Sequence, residues 1–98
     1  MTFTINLTIE AVDDLRTLRK FDQQIVLSAI DNQLSDQPHV VTRRRKRLRP
    51  NRLAEWELRV EDFRVFYDVN VAESQVKVVA VGQKRGERLF VHGEEYEL

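Results

Sequence analysis

"AEWELRVEDFRVFYDV", residues 54–69, is the stretch on which the fold turns. Ala54, Trp56, Leu58 and Val60 alternate with Glu55, Glu57 and Arg59. A period of two with one apolar face is the signature of a half-buried strand. Glu61-Asp62 interrupts it, and Phe63, Val65, Tyr67 and Val69, with Val71 beyond, resume on one face. Two strands joined so tightly form an antiparallel hairpin. Trp56 and Tyr67 belong to its apolar face and read as structural. The opposite face carries Glu55, Glu57, Arg59, Arg64, Phe66 and Asp68, and is expected to stand open.

Downstream, Ala72-Glu73-Ser74 turns the chain. In residues 75–83, Val76, Val78 and Ala80 interleave with Val79 and Val81, the near-continuous apolar run of a central strand. Lys84-Arg85-Gly86-Glu87 breaks it, and Leu89-Phe90-Val91 is a last short strand or extended segment. Upstream, residues 37–52 read as a polar, cationic connection. Before it, Val26, Leu27, Ile30 and Leu34 mark the buried stripe of a helix, with Asp22 as N-cap and Asp36-Gln37-Pro38 as its end. An earlier amphipathic helix runs from Glu10, with Val12, Leu15 and Leu18 inward. Phe3, Ile5 and Leu7 alternate with polar residues as a first strand. The expected fold is α+β: an N-terminal strand and a two-helix hairpin packed on one face of a mainly antiparallel sheet. The 98 residues are expected to make one domain, 1–98.

The chain has no cysteine and only two histidines, His39 and His92. Disulfides, thiolate metal sites and a cysteine nucleophile are excluded. No apolar run approaches the roughly 20 residues that span a bilayer, and the N-terminus lacks the features of a signal peptide. A cytoplasmic protein without membrane partner, metal or cofactor is expected.

Formal net charge is +0, from 16 basic and 16 acidic residues, but the charge is segregated. Arg43, Arg44, Arg45, Lys46, Arg47 and Arg49 place six cations in seven positions. The tail Glu94-Glu95-Tyr96-Glu97 is acidic. A local cationic patch attracts phosphate whatever the total charge. The run therefore reads as a landing strip for a nucleic-acid backbone, with Arg59 beside it. The plainer alternatives are a solvated loop or a surface for an acidic protein segment.

The strand–helix–helix order, "FRVFYDV" with its arginine just after an aromatic, and "AVG" followed by a basic turn resemble the RelE/ParE superfamily of bacterial type II toxins. The resemblance covers nearly the whole chain. It implies a toxin neutralised by a cognate antitoxin, with which it forms a hetero-oligomer. RelE-like members cleave mRNA in the ribosomal A site; ParE-like members poison DNA gyrase. By the same resemblance, Arg64 matches a phosphate-stabilising arginine, and Lys84 and Arg85 a cationic turn. Phe90 falls where RelE-like nucleases carry a catalytic tyrosine, and Glu55 and Glu57 where they carry lysines.

Metal-free RNA cleavage needs a proton acceptor for the 2′-OH, a donor for the leaving 5′-oxygen, and cations for the charge gathering on phosphorus. Arg64, Lys84, Arg85 and Arg88 are the candidate cations. Glu57 and His92 are the candidates for proton transfer, against the plainer readings of a sheet-face ion pair and a surface histidine. Phe66 and Phe90 could stack on a base or simply pack. The expected function is a ribosome-dependent mRNA endoribonuclease that blocks translation. The alternatives are a gyrase poison, or a toxin-like binding domain without catalysis.

Overall fold

Residues 2–98 are described by a computed structural model, in which one strand, two helices and six further strands follow one another. They are β1 (Thr4–Leu7), α1 (Ile9–Arg16), α2 (Lys20–Leu34), β2 (Arg45–Arg47), β3 (Trp56–Val60), β4 (Phe63–Asn70), β5 (Gln75–Arg85), β6 (Arg88–Val91) and β7 (Glu94–Tyr96). Strands β2 to β7 lie in sequence order in one antiparallel meander. β1 alone is parallel, running beside β5 from Thr4 opposite Gln75 to Leu7 opposite Val78. The architecture is α+β, with two helices against a mainly antiparallel sheet.

β1 and β6 share one edge of β5, pairing with Gln75–Val78 and with Gln83–Arg85 respectively. Between them the backbone of β5 would lack partners. Thr8, just before α1, and Asp14, within it, supply them. The Thr8 backbone N–H donates to Val78 O at 3.0 Å and its hydroxyl to Val79 O at 3.3 Å. Asp14 Oδ2 accepts from the Val81 N–H at 2.9 Å. Thr8 also caps α1, its Oγ1 accepting from the Ala11 N–H.

The helices bury Ala11, Leu15, Val26, Ile30 and Leu34 against Trp56, Leu58, Val65, Tyr67, Val76 and Val78. Three local expectations are corrected. α2 starts at Lys20, so Asp22 lies in its first turn; it pairs with Arg19, 3.2 Å away, instead of capping. Leu27 and Val71 are exposed, because Leu27 falls outside the α2 stripe of Val26, Ile30 and Leu34, and Val71 lies in the turn after β4. Residues 37–52 are more than a connection: Arg45–Arg47 form β2, paired to β3.

The face opposite the helices is open only in part: Glu55 and Arg59 are exposed, while the region around Phe66 is covered. Phe66 is fully buried there, with Ala54, Ala80, Leu89 and Val91, and Leu48, Leu53, Val79 and Tyr96 pack around them. A bulge does this. Phe66 pairs with Ala80 but Tyr67 with Val78, leaving Val79 as an extra residue in β5. The extra residue reverses the strand's phase. Val81 then joins Val76 and Val78 in the first core, while Ala80 turns to the second. Gly82 lets β6 cross close by: a Cβ there would lie 2.7 Å from Phe90 O.

Tyr67 donates its buried hydroxyl to Pro38 O at 2.8 Å. Burial raises its pKa above the ordinary 10.0, although the charge of Arg45 works the other way. Above pH 10.0 an unfolded tyrosine ionises while folded Tyr67 keeps its proton. The unfolded state then binds fewer protons, so stability falls with rising pH in that alkaline range and is unaffected below it. Urea titrations across that range should show the fall, and Tyr67→Phe should flatten it at a cost of about 1 kcal/mol at neutral pH for the lost hydrogen bond.

A cationic groove as candidate functional site

The arginine run divides three ways. Arg45 turns inward and is buried. Its Nη1 donates to Gln33 O at 2.6 Å and Asp36 O at 3.2 Å, and its Nε to Val40 O at 3.1 Å. The last turn of α2 carries no basic residue of its own, and terminal carbonyls need donors. Arg45 supplies them, and is thereby withdrawn from the nucleic-acid-binding set expected of it.

Arg43, Arg44 and Lys46 form one wall of a groove of about 540 Å³. Its floor is the β3–β4 hairpin, with Glu57, Arg59 and Arg64. Lys84, Glu87 and Arg88 come from the end of β5 and the start of β6, and Glu95, Tyr96, Glu97 and Leu98 close the far side. Arg47 and Arg49 lie beyond Leu48, in a separate hollow. Arg47 sits over the Trp56 ring, 5.6 Å from its centroid, and 3.8 Å from Glu55.

Strand register sets the electrostatics of the floor. Lys46 is opposite Glu57, and Arg59 is directly opposite Arg64. Like charges directly across a ladder destabilise it. Arg64 Nη1 folds back to Glu61 O and Phe63 O, both at 2.8 Å. Burial lowers its pKa; Glu57 opposes that shift, Arg59 adds to it, and Asp62 opposes it. A guanidinium stays charged regardless. Arg64 is thus a partly desolvated cation facing a second one, and an incoming anion would relieve both effects.

Arg64, Lys84, Arg88 and Glu57 are thus brought together, with Arg43, Arg44, Lys46 and Arg59 around them. Two expected catalytic residues are not among them. Arg85 follows Lys84 in β5, so it points to the other side, 5.4 Å above the Phe90 ring. His92 lies in the β6–β7 turn at positive φ, beside Gly93. Its Nδ1 is 2.9 Å from Asp14 Oδ1, against α1. The groove instead contains Tyr96, whose ring lies 5.0 Å from the Arg52 guanidinium. Tyr96 was hidden because Glu-Glu-Tyr is too short and charged to register as a strand. The one signal was His92-Gly93, the kind of pair that makes a tight hairpin turn.

A family model described as "ParE toxin of type II toxin-antitoxin system, parDE" matches residues 5–87. The match stops before β6, so the far wall of the groove lies outside it. No curated protein matches the chain. Among solved structures, the chain resembles the toxin–antitoxin complex RelBE2 from Mycobacterium tuberculosis, with a TM-score of 0.71 and 21% identity over 86% of this chain and 100% of that one. It also resembles the archaeal RelE–RelB complex from Pyrococcus horikoshii OT3, with a TM-score of 0.69 and 24% identity over 88% of this chain and 98% of that one.

Proposed function

The chain belongs to the ParE toxin family of type II toxin–antitoxin systems, within the RelE/ParE superfamily, and we propose that it works through this groove as a ribosome-dependent endoribonuclease. The supporting observation is the convergence of Arg64, Lys84, Arg88 and Glu57, from four different strands, on a single groove. The 2′-hydroxyl of the bound RNA attacks the adjacent phosphorus and gives its proton to the Glu57 carboxylate. Arg64, supported by Arg59 and Lys84, holds the negative charge that gathers on the non-bridging oxygens. The bond to the 5′-oxygen breaks, and the Tyr96 phenol returns a proton to it. The products are a 2′,3′-cyclic phosphate and a free 5′-hydroxyl. No step in this scheme calls on Arg85, His92 or a cofactor.

A cognate antitoxin masks the groove in a toxin–antitoxin hetero-oligomer, and the site of action is the cytoplasm. The solved structures it resembles are themselves toxin–antitoxin complexes. A second reading, a gyrase poison, is favoured by the description of the matching family and by Glu87, Glu95 and Glu97, which oppose a polyanion in the groove. Expression in cells with translation and DNA supercoiling followed together separates the two. Early translation arrest with cut mRNA is expected. Gyrase-linked DNA breaks with intact mRNA would overturn the nuclease, and no effect on growth would leave a binding domain.

A further inference from the structure

We propose that the hollow beyond Leu48 is a second phosphate-backbone site, so that this chain grips paired nucleic acid with one strand on either side of β2. The proposal rests on the reading of the groove as a nucleic-acid site. The hollow has a volume of about 640 Å³ and is bounded by Arg47, Arg49 and Arg52. Leu48 lines both it and the groove, and forms the ridge between them. Period-2 alternation explains the division: Lys46 faces the groove, while Arg45 and Arg47 face the other way.

The hollow is held in shape before any ligand arrives. Asn51 uses all four of its side-chain bonding positions within the loop. Its Oδ1 accepts from the Leu53 and Ala54 N–H groups at 2.7 and 3.0 Å. Its Nδ2 donates to Arg49 O and Ala54 O at 2.7 and 2.9 Å. An Asn amide has two acceptor and two donor positions, so none remains. A loop ordered in this way presents its arginines with less entropy to lose on binding. Its acids compete weakly. The Arg47–Glu55 pair spans 3.8 Å with both side chains half exposed, and such pairs contribute little. Asp68 Oδ1 accepts from the Glu55 N–H at 2.8 Å, which ties one of its two oxygens to the backbone. Arg49 makes no ion pair among the described residues.

One extended strand can follow the groove without reaching the hollow. Two backbones joined by base pairing can occupy both. The discriminating experiment measures binding of a short single-stranded RNA, the same RNA annealed to its complement, and the same sequence as duplex DNA. The proteins are the wild type, the double variant Arg47→Ala/Arg49→Ala, and Asn51→Ala, each checked for folding by thermal melting. The double variant should bind duplex about tenfold more weakly and flatten its log–log salt slope by about two, one per lost phosphate contact. Single-strand binding should be unchanged. Asn51→Ala removes no charge, yet should also weaken duplex binding. Loss with RNA and DNA duplexes alike supports a generic backbone site; loss with one only supports the site and assigns its polymer. Equal loss for single strand and duplex would make the run one track and overturn the proposal. So would unchanged duplex binding, which would leave the hollow to a protein. Failure of the wild type to bind single-stranded RNA would instead sink the reading of the groove itself.

Discussion

If the chain is the nuclease proposed, Arg64→Ala should lower cleavage of ribosome-bound mRNA by roughly 10²-fold or more, the scale of losing one preorganised stabiliser of developing charge. The expectation follows from where the guanidinium sits. It is partly desolvated, opposed across the ladder by Arg59, and held over the hairpin turn by Glu61 O and Phe63 O. Those bonds fix its position before substrate arrives, so little reorganisation remains for the reaction. Arg64→Lys should recover only part of the loss, since a point charge cannot present the planar fork to two phosphate oxygens. Binding of RNA should weaken far less than cleavage, because Arg43, Arg44, Lys46 and Lys84 remain in the groove. Single-turnover cleavage alongside equilibrium binding makes the separation. Full toxicity of Arg64→Ala without mRNA cleavage would move the function to gyrase.

Arg45→Ala should destabilise the fold by about 3 kcal/mol or more, since it removes three charge-assisted hydrogen bonds and strands their acceptors. The acceptors are carbonyls of Gln33, Asp36 and Val40, at and just beyond the end of α2. On a chain of this size a loss of that order lowers the melting temperature by about 12 °C or more. Its neighbour is the control. Arg44→Ala, at an exposed position, should alter stability by no more than about 0.5 kcal/mol while weakening RNA binding. Urea unfolding of the two variants, one residue apart in the run, reads the difference. Equal stability would show that the inward bonds of Arg45 count for little.

The elements that could be read from the sequence were those whose side chains report their surroundings. Trp56, Leu58 and Val60 alternate because one face of β3 packs on helices, and Val26, Ile30 and Leu34 recur because one stripe of α2 does. β2 was not legible, because Arg-Lys-Arg is held by backbone pairing to β3 and by guanidinium bonds to carbonyls, neither of which leaves a hydropathy pattern. The bulge at Val79 was not legible either. It depends on register against β4, and it moved Ala80 to the opposite face from the one its alternation implied. Of the groove's residues, Arg64 and Lys84 were legible through the family resemblance, and Arg88 and Glu57 as charged types that phosphate chemistry could use. Arg85 and His92 satisfied the same test of type and failed on direction, which is set by strand phase and by a two-residue turn. Tyr96 and the acidic wall come together with the arginines only through the second core.

The single parallel pairing has a consequence for how the chain is made. Thr4 pairs with Gln75, 75 − 4 = 71 positions later, so β1 waits for most of the chain to be synthesised before it has a partner. Such distant pairing forms late and slowly relative to local hairpins. The groove waits longer still, since one wall begins at Arg43 and the other ends at Leu98. Until residues 75–98 have been made, the chain has neither its first strand docked nor its last wall in place.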